Sequence, residues 1–184
     1  ASGDVKVTND SWVSTAGKQA AGIYAQSVGG GGGDAQQIAN IINGRTADNS
    51  ARNALMIGGS GGTGGTAGTV EVINGADALI FTEGEQSHGI FAQSVGGGGG
   101  SGSDIESIMA ISGADSQANT KRSLQFGLGG SGGTGGTGGT VKVQNDGTIV
   151  TLGDRAHGII AQSIGGGGGN GGQSIFGSTG LRNG

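Results

Sequence analysis

The chain has 184 residues, of which 48 are glycine and none is proline or cysteine, and its formal net charge is −4. Glycine enrichment with few large apolar residues is typical of low-complexity chains, whereas so small a net charge argues against disorder driven by self-repulsion. The absence of cysteine excludes disulfide scaffolds and thiol catalysis. Collagen is excluded because the chain has no proline and no glycine at every third residue along its whole length.

Three short β-strand patterns come first along the chain, and the set occurs in three copies. Each copy opens with a V-x-V pair, passes an Asn-containing turn to a second β-rich run, and ends in a G-I-x-A-Q-S-V/I phrase. The V-x-V pairs are Val5/Val7, Val70/Val72 and Val141/Val143. The second runs are residues 12–15, 79–82 and 148–152. The repeated phrase contains Ile23, Ala25, Gln26, Ser27; Ile90, Ala92, Gln93, Ser94; and Ile159, Ala161, Gln162, Ser163.

Three strands in about 24–26 residues are the size of one coil of a parallel β-helix, whose stacked strands lie roughly 4.8 Å apart. Side chains alternate between the two faces of a strand, so the Ile, Ala and Ser of the phrase share one face. We expect that face to point inward, because the x position of the phrase varies between Tyr24, Phe91 and Ile160.

Five glycines follow each phrase, and the segments 34–57 and 101–128 come after the first two glycine runs. Asp34 with Gln37 resembles a helix N-cap and capping box, and Ile38, Ile41 and Ile42 fall on one helical face. Asp104 with Ile105, Ile108 and Met109 repeats the pattern. These segments therefore predict short amphipathic helices, one ending before Gly44 and the other near Gly113, whereas residues 170–184 are expected to form a loop.

Two longer glycine tracts, 58–69 and 129–140, carry a hydroxyl residue at every third position. A polyproline-II-type helix has three residues per turn, so the hydroxyls would line one edge and glycine would let neighbouring backbones approach on the others. The alternative is a flexible Gly/Ser/Thr linker. The residues of the predicted hydroxyl edge are Ser60, Thr63, Thr66, Thr69, Ser131, Thr134, Thr137 and Thr140.

Together these patterns predict an all-β, repetitive parallel β-helix or β-solenoid with polyglycine-II-like segments and short inserted helices. The whole chain, 1–184, is expected to be one repetitive domain. It comprises a partial repeat 1–57, a repeat 58–128 and a partial repeat 129–184.

The sequence motifs give little support for a catalytic or metal site. G-x-S-x-G occurs at 58–62 and 129–133, where glycine abundance produces the match without the strand, helix and His of a nucleophile elbow. Residues 99–104 fit the start of a calcium-binding nonapeptide, yet Glu106 occupies its apolar position. Helix N-caps explain Asp34 and Asp104 better, and calcium dependence stays open.

The titratable residues are also scattered. His88 and His157 hold equivalent positions without a carboxylate or Cys cluster, which favours a turn or surface role. Glu83 and Glu85 are interpreted as solvated charges. We therefore predict no catalytic residue, cofactor or metal and no enzyme. The nine Lys and Arg form no basic patch, which argues against nucleic-acid binding, and no apolar run is long enough for membrane insertion.

The phrase G-I-x-A-Q-S-I/V-G-G-G-G-G, together with G-G-S-G-G-T-G-G-T and V-x-V-x-N, resembles repeats in the passenger regions of large bacterial autotransporter proteins of the surface-adhesin type. The resemblance covers nearly the whole chain. It implies a solenoidal passenger at the bacterial cell surface or in the extracellular space, with adhesion or self-association as its role. It supplies no catalytic residues.

We therefore expect a non-catalytic structural or adhesive module that acts as a stalk, fibre or contact surface. Its expected partners are other copies or neighbouring repeats, and host or surface glycans or proteins. The first alternative is a subunit of a self-assembling extracellular filament, since an uncapped array has edge strands at both ends. A polysaccharide-active β-helix enzyme is a weaker alternative, because no carboxylate pair stands out.

Overall fold

The computed structural model describes residues 1–45, 54–113 and 124–182, and these residues form β-strands, turns and extended segments without a helix. The all-β prediction is therefore confirmed for this part of the chain, which also contains no helix able to cross a membrane. The strands are β1 (Val5–Asn9), β2 (Trp12–Thr15), β3 (Ile23–Val28), β4 (Ile38–Arg45), β5 (Ala54–Ile57), β6 (Val70–Asn74), β7 (Leu79–Thr82), β8 (Ile90–Val95), β9 (Ile105–Gly113), β10 (Gln125–Leu128), β11 (Val141–Asn145), β12 (Thr148–Thr151), β13 (Ile159–Ile164) and β14 (Ser174–Arg182).

Every described strand pairs in parallel with its equivalent in another copy. The sheet orders are β1-β6-β11, β2-β7-β12, β3-β8-β13, β4-β9-β14 and β5-β10. Val5 pairs with Val70 and Val70 with Val141, so one repeat of 65 to 71 residues separates the partners. We call β1–β5, β6–β10 and β11–β14 coils 1, 2 and 3. A coil is thus the whole repeat and not the predicted 24–26 residues, because glycine tracts and further strands intervene before the chain returns.

The chain divides into two compact units, and the division falls inside the glycine tracts. Unit 1 contains residues 1–31, 63–98 and 135–167. Its interior is built from rows of equivalent residues, one from each coil. The fully buried members are Val70, Val72, Ile80, Ile90 and Ala92, all in coil 2.

The Ile-Ala-Ser face of the repeated phrase points into unit 1, as predicted. Ile23, Ala25 and Ser27 alternate with exposed residues along β3, and the same positions in β8 are buried. Asn74 is also buried, and its amide joins the three coils. Asn9 Nδ2 donates to Asn74 Oδ1 over 2.8 Å, and Asn74 Nδ2 donates to Asn145 Oδ1 over 2.7 Å. The row of Asn residues thus satisfies a polar group that is costly to bury alone.

Unit 2 contains residues 32–62, 99–134 and 168–184, and it corrects two predictions. The helices expected in 34–57 and 101–128 are wrong where the structure describes them, since β4, β5, β9 and β10 occupy these segments. The loop expected for 170–184 is also wrong, because β14 pairs with β9. The rest of these segments, 46–53, 114–123 and 183–184, lies outside the described residues.

The predicted helix caps have a different role, which explains the error. The Asp34 carboxylate accepts the backbone N–H of Ser101 over 2.6 Å, and that of Asp104 accepts the N–H of Gln173 over 2.8 Å. Both bonds join one coil to the next. The β-branched Ile38 and Ile41 pair in register with Ile105 and Ile108, an arrangement in which such side chains pack well. Pairing between repeats therefore overrides the local helical pattern.

Candidate contact surfaces

The residues of the repeated phrase are brought together as rows that run from coil to coil. The buried Ser94 is a link between strand β8 and the glycine tracts, because its hydroxyl donates to the Gly68 carbonyl over 2.9 Å and accepts the Gly139 N–H over 2.8 Å. The outward glutamines form an amide ladder, with Gln26 Nε2 donating to Gln93 Oε1 over 2.6 Å and Gln93 to Gln162 over 2.9 Å. These contacts give both residue types a role in joining coils.

The residues of the predicted hydroxyl edge all lie on the exposed side of their tracts. In unit 1 they are Thr63, Thr66, Thr69, Thr137 and Thr140; in unit 2 they are Ser60, Ser131 and Thr134. Within unit 2, the hydroxyl oxygens of Ser60 and Ser131 are 2.9 Å apart and hydrogen-bonded. Each unit therefore presents a regularly spaced set of hydroxyls to the solvent.

Backbone hydrogen bonds join the glycine tracts at every third residue. In unit 1, Gly65 N–H donates to Gly30 over 2.6 Å, Gly97 N–H to Gly65 over 2.9 Å and Gly136 N–H to Gly97 over 2.7 Å. Unit 2 repeats the pattern three residues away, for example from Gly100 N–H to the Gly62 carbonyl over 2.8 Å. The tracts thus use glycine to bring backbones together.

A shallow groove of about 240 Å³ lies on the outward side of unit 1. Two stacked rings form one wall: Tyr24 and Phe91 have centroids 5.0 Å apart and planes only 2° from parallel. Gln19 and Gln86 also line the groove, with Gln19 Nε2 donating to Gln86 Oε1 over 3.1 Å. We call this the aromatic–amide groove, and its lining residues are Gln19, Ala21, Tyr24, Gln86, His88 and Phe91.

The two histidines at equivalent positions stack beside this groove. The rings of His88 and His157 have centroids 5.3 Å apart, and the backbone N–H of His157 donates to His88 Nδ1 over 3.1 Å. Because Nδ1 acts as an acceptor, the neutral His88 ring carries its proton on Nε2. The described residues contain no group of three or more His, Asp or Glu side chains arranged to hold a metal.

Unit 1 has two sets of ion pairs in which a negative side chain of coil 2 lies between positive side chains of coils 1 and 3. Glu71 of coil 2 lies between Lys6, at 2.8 Å, and Lys142, at 3.3 Å. Hydrogen bonding to Lys6, followed by that to Lys142, lowers the pKa of the Glu71 carboxyl below its usual value. Glu85 similarly lies 3.4 Å from Lys18 and 3.6 Å from Arg155. The sequence pattern had suggested solvated charge for Glu85, and the structure adds these two exposed ion pairs.

Unit 2 presents an exposed apolar face on the sheet β5-β10. Leu55 pairs in register with Phe126 and Ile57 with Leu128, and each of the four side chains is between 63% and 71% exposed. Large apolar residues grouped on a surface mark interaction sites more often than isolated ones do. Sequence reasoning missed this apolar face because it assigned no strand to residues 54–57 and 125–128, which follow the predicted helices, although L-x-I and F-x-L are strand-like alternations.

Comparison of the chain with models of protein families, with curated proteins and with solved structures found no match. The function must therefore be argued from the surfaces themselves. Within the described residues these surfaces include the coil-to-coil rows, a hydroxyl edge in each unit, the aromatic–amide groove and the apolar face of β5-β10.

Proposed function

We propose that the chain is a non-catalytic structural and adhesive module of a bacterial cell-surface or secreted repeat protein, acting as a stalk, fibre or contact surface. The observation that carries the proposal is the in-register pairing of every strand with its equivalent one repeat away. Such an array grows by adding repeats, since each repeat contacts mainly its neighbours. The resemblance to autotransporter passenger repeats supports a location at the cell surface or outside the cell.

Within this proposal the G-G-S/T tracts are polyglycine-II-like helices packed side by side. The three-residue spacing of their backbone hydrogen bonds and the outward hydroxyls both support three residues per turn. Amide hydrogen exchange tests this assignment in the five-glycine run 96–100, which is hydrogen-bonded to both G-G-S/T tracts. The N–H groups of Gly97 and Gly100 donate to carbonyls of neighbouring tracts, so they should exchange slowly. Gly98 N–H has no partner in the described part of the chain, and it should exchange quickly; equal, fast exchange at all three would support a linker.

We place the adhesive contact on the apolar face of β5-β10, since burial of its four large side chains against a surface would remove apolar area from water. The repeat displayed on bacterial cells behind a membrane anchor should increase cell attachment to a hydrophobic surface under flow. The double variant Leu55→Ser/Phe126→Ser should lose most of that increase. Trp12→Ser is the matched control, because Trp12 is equally exposed but lies on strand β2 in unit 1.

The display experiment has a clear negative outcome. Antibody staining would establish equal surface density for every strain. Attachment no greater than that of cells displaying an unrelated soluble domain would then contradict the adhesive role. Attachment that is unchanged in Leu55→Ser/Phe126→Ser would leave adhesion in place but move it away from the β5-β10 face.

A self-assembling filament is the second candidate, and the open sheet edges favour it. Within the described residues, β1 and β11 each pair with β6 alone, so a second copy could add to either edge. A direct join of coil 3 to coil 1 would place Lys142 beside Lys6. Like charges directly opposite one another are destabilising, and we therefore expect filament growth only where salt screens them.

A further inference from the structure

Two residues that line the aromatic–amide groove of unit 1, Gln19 and Gln86, have an unusual backbone conformation. Gln19, Gln86 and Arg155 occupy equivalent turn positions in the left-handed backbone region, with φ of 56°, 58° and 56°. Glycine adopts this conformation without strain, and glycine makes up 48 of the 184 residues. Retention of long polar side chains at a strained position points to a role for those side chains.

The groove offers hydrogen-bonding groups that the protein itself leaves unused. Gln19 Oε1 and Gln86 Nε2 have no protein partner among the described residues, since the bond between the two amides uses their other ends. The Tyr24 hydroxyl likewise has none, and its residue is 60% exposed. His88 accepts a bond at Nδ1, which leaves its Nε2–H as a free donor. Donors and acceptors thus lie together around one concavity.

The chemistry of the lining selects the class of ligand. None of the six lining residues carries a formal charge when His88 is neutral, so the groove lacks the cation that a phosphate or carboxylate ligand requires. A purely apolar ligand would leave the amides and the His88 N–H unpaired, which is costly. The stacked rings of Tyr24 and Phe91 both line the groove and give it an apolar surface. A neutral sugar matches this combination, because it has apolar C–H faces and hydroxyls that both donate and accept.

The groove runs from coil to coil, and its length limits the occupant. In coil 3 the equivalent residues are Arg155, His157 and Ile160, so the neutral aromatic–amide lining extends over coils 1 and 2. Two coils span roughly 10 Å at about 4.8 Å each. This length suits a segment of a few sugar residues and not an extended polymer surface.

We propose that the aromatic–amide groove binds a short segment of a neutral polysaccharide. Tyr24 and Phe91 pack against the sugar C–H groups, while Gln19, Gln86 and His88 bind its hydroxyls. The inference rests on the proposed contact-surface function and names the ligand class for one of its faces. It adds a second contact, independent of the apolar face in unit 2.

The test is affinity electrophoresis of the 184-residue chain in gels containing mannan, dextran, laminarin or galactan, with hyaluronate as an acidic comparator. At least one neutral polymer should retard the chain. Phe91→Ala should weaken that binding roughly tenfold or more, as expected for loss of a central aromatic contact. Trp12→Ala removes an exposed aromatic outside the groove, and this variant should bind as the parent does.

Gln86→Gly separates ligand binding from a structural role. Glycine fits the left-handed position, so this variant should keep or raise its unfolding temperature while losing roughly fivefold or more in affinity, the order expected for loss of a hydrogen bond. Gln93→Ala removes an amide of the neighbouring ladder that does not line the groove, and it should keep its affinity.

Several results would overturn the groove assignment. These are no retardation by any neutral polymer, retardation by hyaluronate alone, or binding that Phe91→Ala and Gln86→Gly leave unchanged. Loss of binding in Gln86→Gly together with a lowered unfolding temperature would equally count against it. Surface attachment of displaying cells is measured separately and depends on the β5-β10 face, so failure of the groove and failure of the adhesive function give different results.

Discussion

Substitution of Gly97 by alanine tests whether the glycine tracts are packed elements. A Cβ at position 97 would lie 2.9 Å from the Gly29 carbonyl oxygen and still closer to the carbonyl of Gly30. Both neighbours are backbone and cannot rotate away as a flexible side chain can. The N–H of Gly97 donates to Gly65, and its carbonyl accepts from Gly136. The tract must therefore move away from a neighbour and strain or lose these bonds.

The expected loss of stability in Gly97→Ala has two contributions, overpacking and weakened hydrogen bonds. Overpacking of a close-packed site costs about 1–3 kcal/mol, and two weakened backbone hydrogen bonds add about 1 kcal/mol each. Gly97→Ala should thus destabilise the chain by roughly 3–5 kcal/mol. For a chain of this size, each kcal/mol lowers the unfolding temperature by about 2–4 °C. Thermal unfolding followed by circular dichroism should show a decrease of roughly 10 °C.

The adjacent Gly98 provides the matched control. Its Cβ would meet only the Gly167 carbonyl oxygen, at 3.8 Å, and no described glycine has a positive φ. Gly98→Ala should therefore be neutral, or stabilising by about 0.4–1 kcal/mol, because alanine restricts the unfolded chain. If the two variants unfolded within about 0.5 kcal/mol of each other, the tracts could not be packed as described and would behave as linkers.

The remaining predictions concern other contacts of unit 1. Ser94→Ala should lower the free energy of unfolding by about 1–3 kcal/mol in a denaturant titration, since the Gly68 carbonyl and Gly139 N–H lose a buried partner. Ser163→Ala, at the exposed equivalent position in coil 3, should lower the free energy of unfolding by less. The lowered pKa of Glu71 contributes stability above the usual Glu value of about 4.5, and this contribution should disappear as pH falls through the lowered pKa; a Glu71→Gln variant should lack that part of the pH dependence. Sedimentation of the 184-residue chain should show more association at high salt than at low salt, and the reverse would contradict a join that brings like charges together.

The strand rows of unit 1 were accessible from sequence because they depend on local alternation and on repetition. Ile23, Ala25 and Ser27 occupy every second position, and the same letters recur 67 residues later. Both facts are visible without knowledge of any contact. The variable x position of the repeated phrase predicted that the Ile-Ala-Ser face points inward. The structure confirms this orientation for β3 and β8.

Segments 34–57 and 101–128 were misassigned for a physical reason that also lies in the repeat. Ile38, Ile41 and Ile42 satisfy a helical period, and Asp34 satisfies a helix cap, so local rules favour a helix. The stabilising partners of β4 lie 67 residues further along the chain in β9, and no local window contains them. A recurring signal was nevertheless present: Asp4, Asp34 and Asp104 all precede strands, and each accepts a backbone N–H from the following coil.

The groove was less accessible than the strands because it depends on side chains from two coils. Gln19 and Gln86 appear in sequence as ordinary turn residues, and their left-handed backbone cannot be read from residue type, since Asn or Gly is the usual occupant. The stacking of Tyr24 on Phe91 follows once β3 and β8 are known to be in register. Register was therefore the single piece of information needed to bring these residues into one site.

Register also explains how a chain so rich in glycine can be ordered. Each glycine fixed in regular structure costs about 0.5–1 kcal/mol relative to alanine, and a glycine has no side chain to offset that cost. Its compensation must come from the backbone, through hydrogen bonds between closely approaching tracts. Gly30, Gly65, Gly97 and Gly136 form such a chain of donors and acceptors. A shift by one residue would bring Thr137 to the position of Gly136, where a Cβ would clash with the Gly65 carbonyl. The three-residue spacing of Ser and Thr therefore excludes the shifted registers while it keeps the hydroxyls exposed.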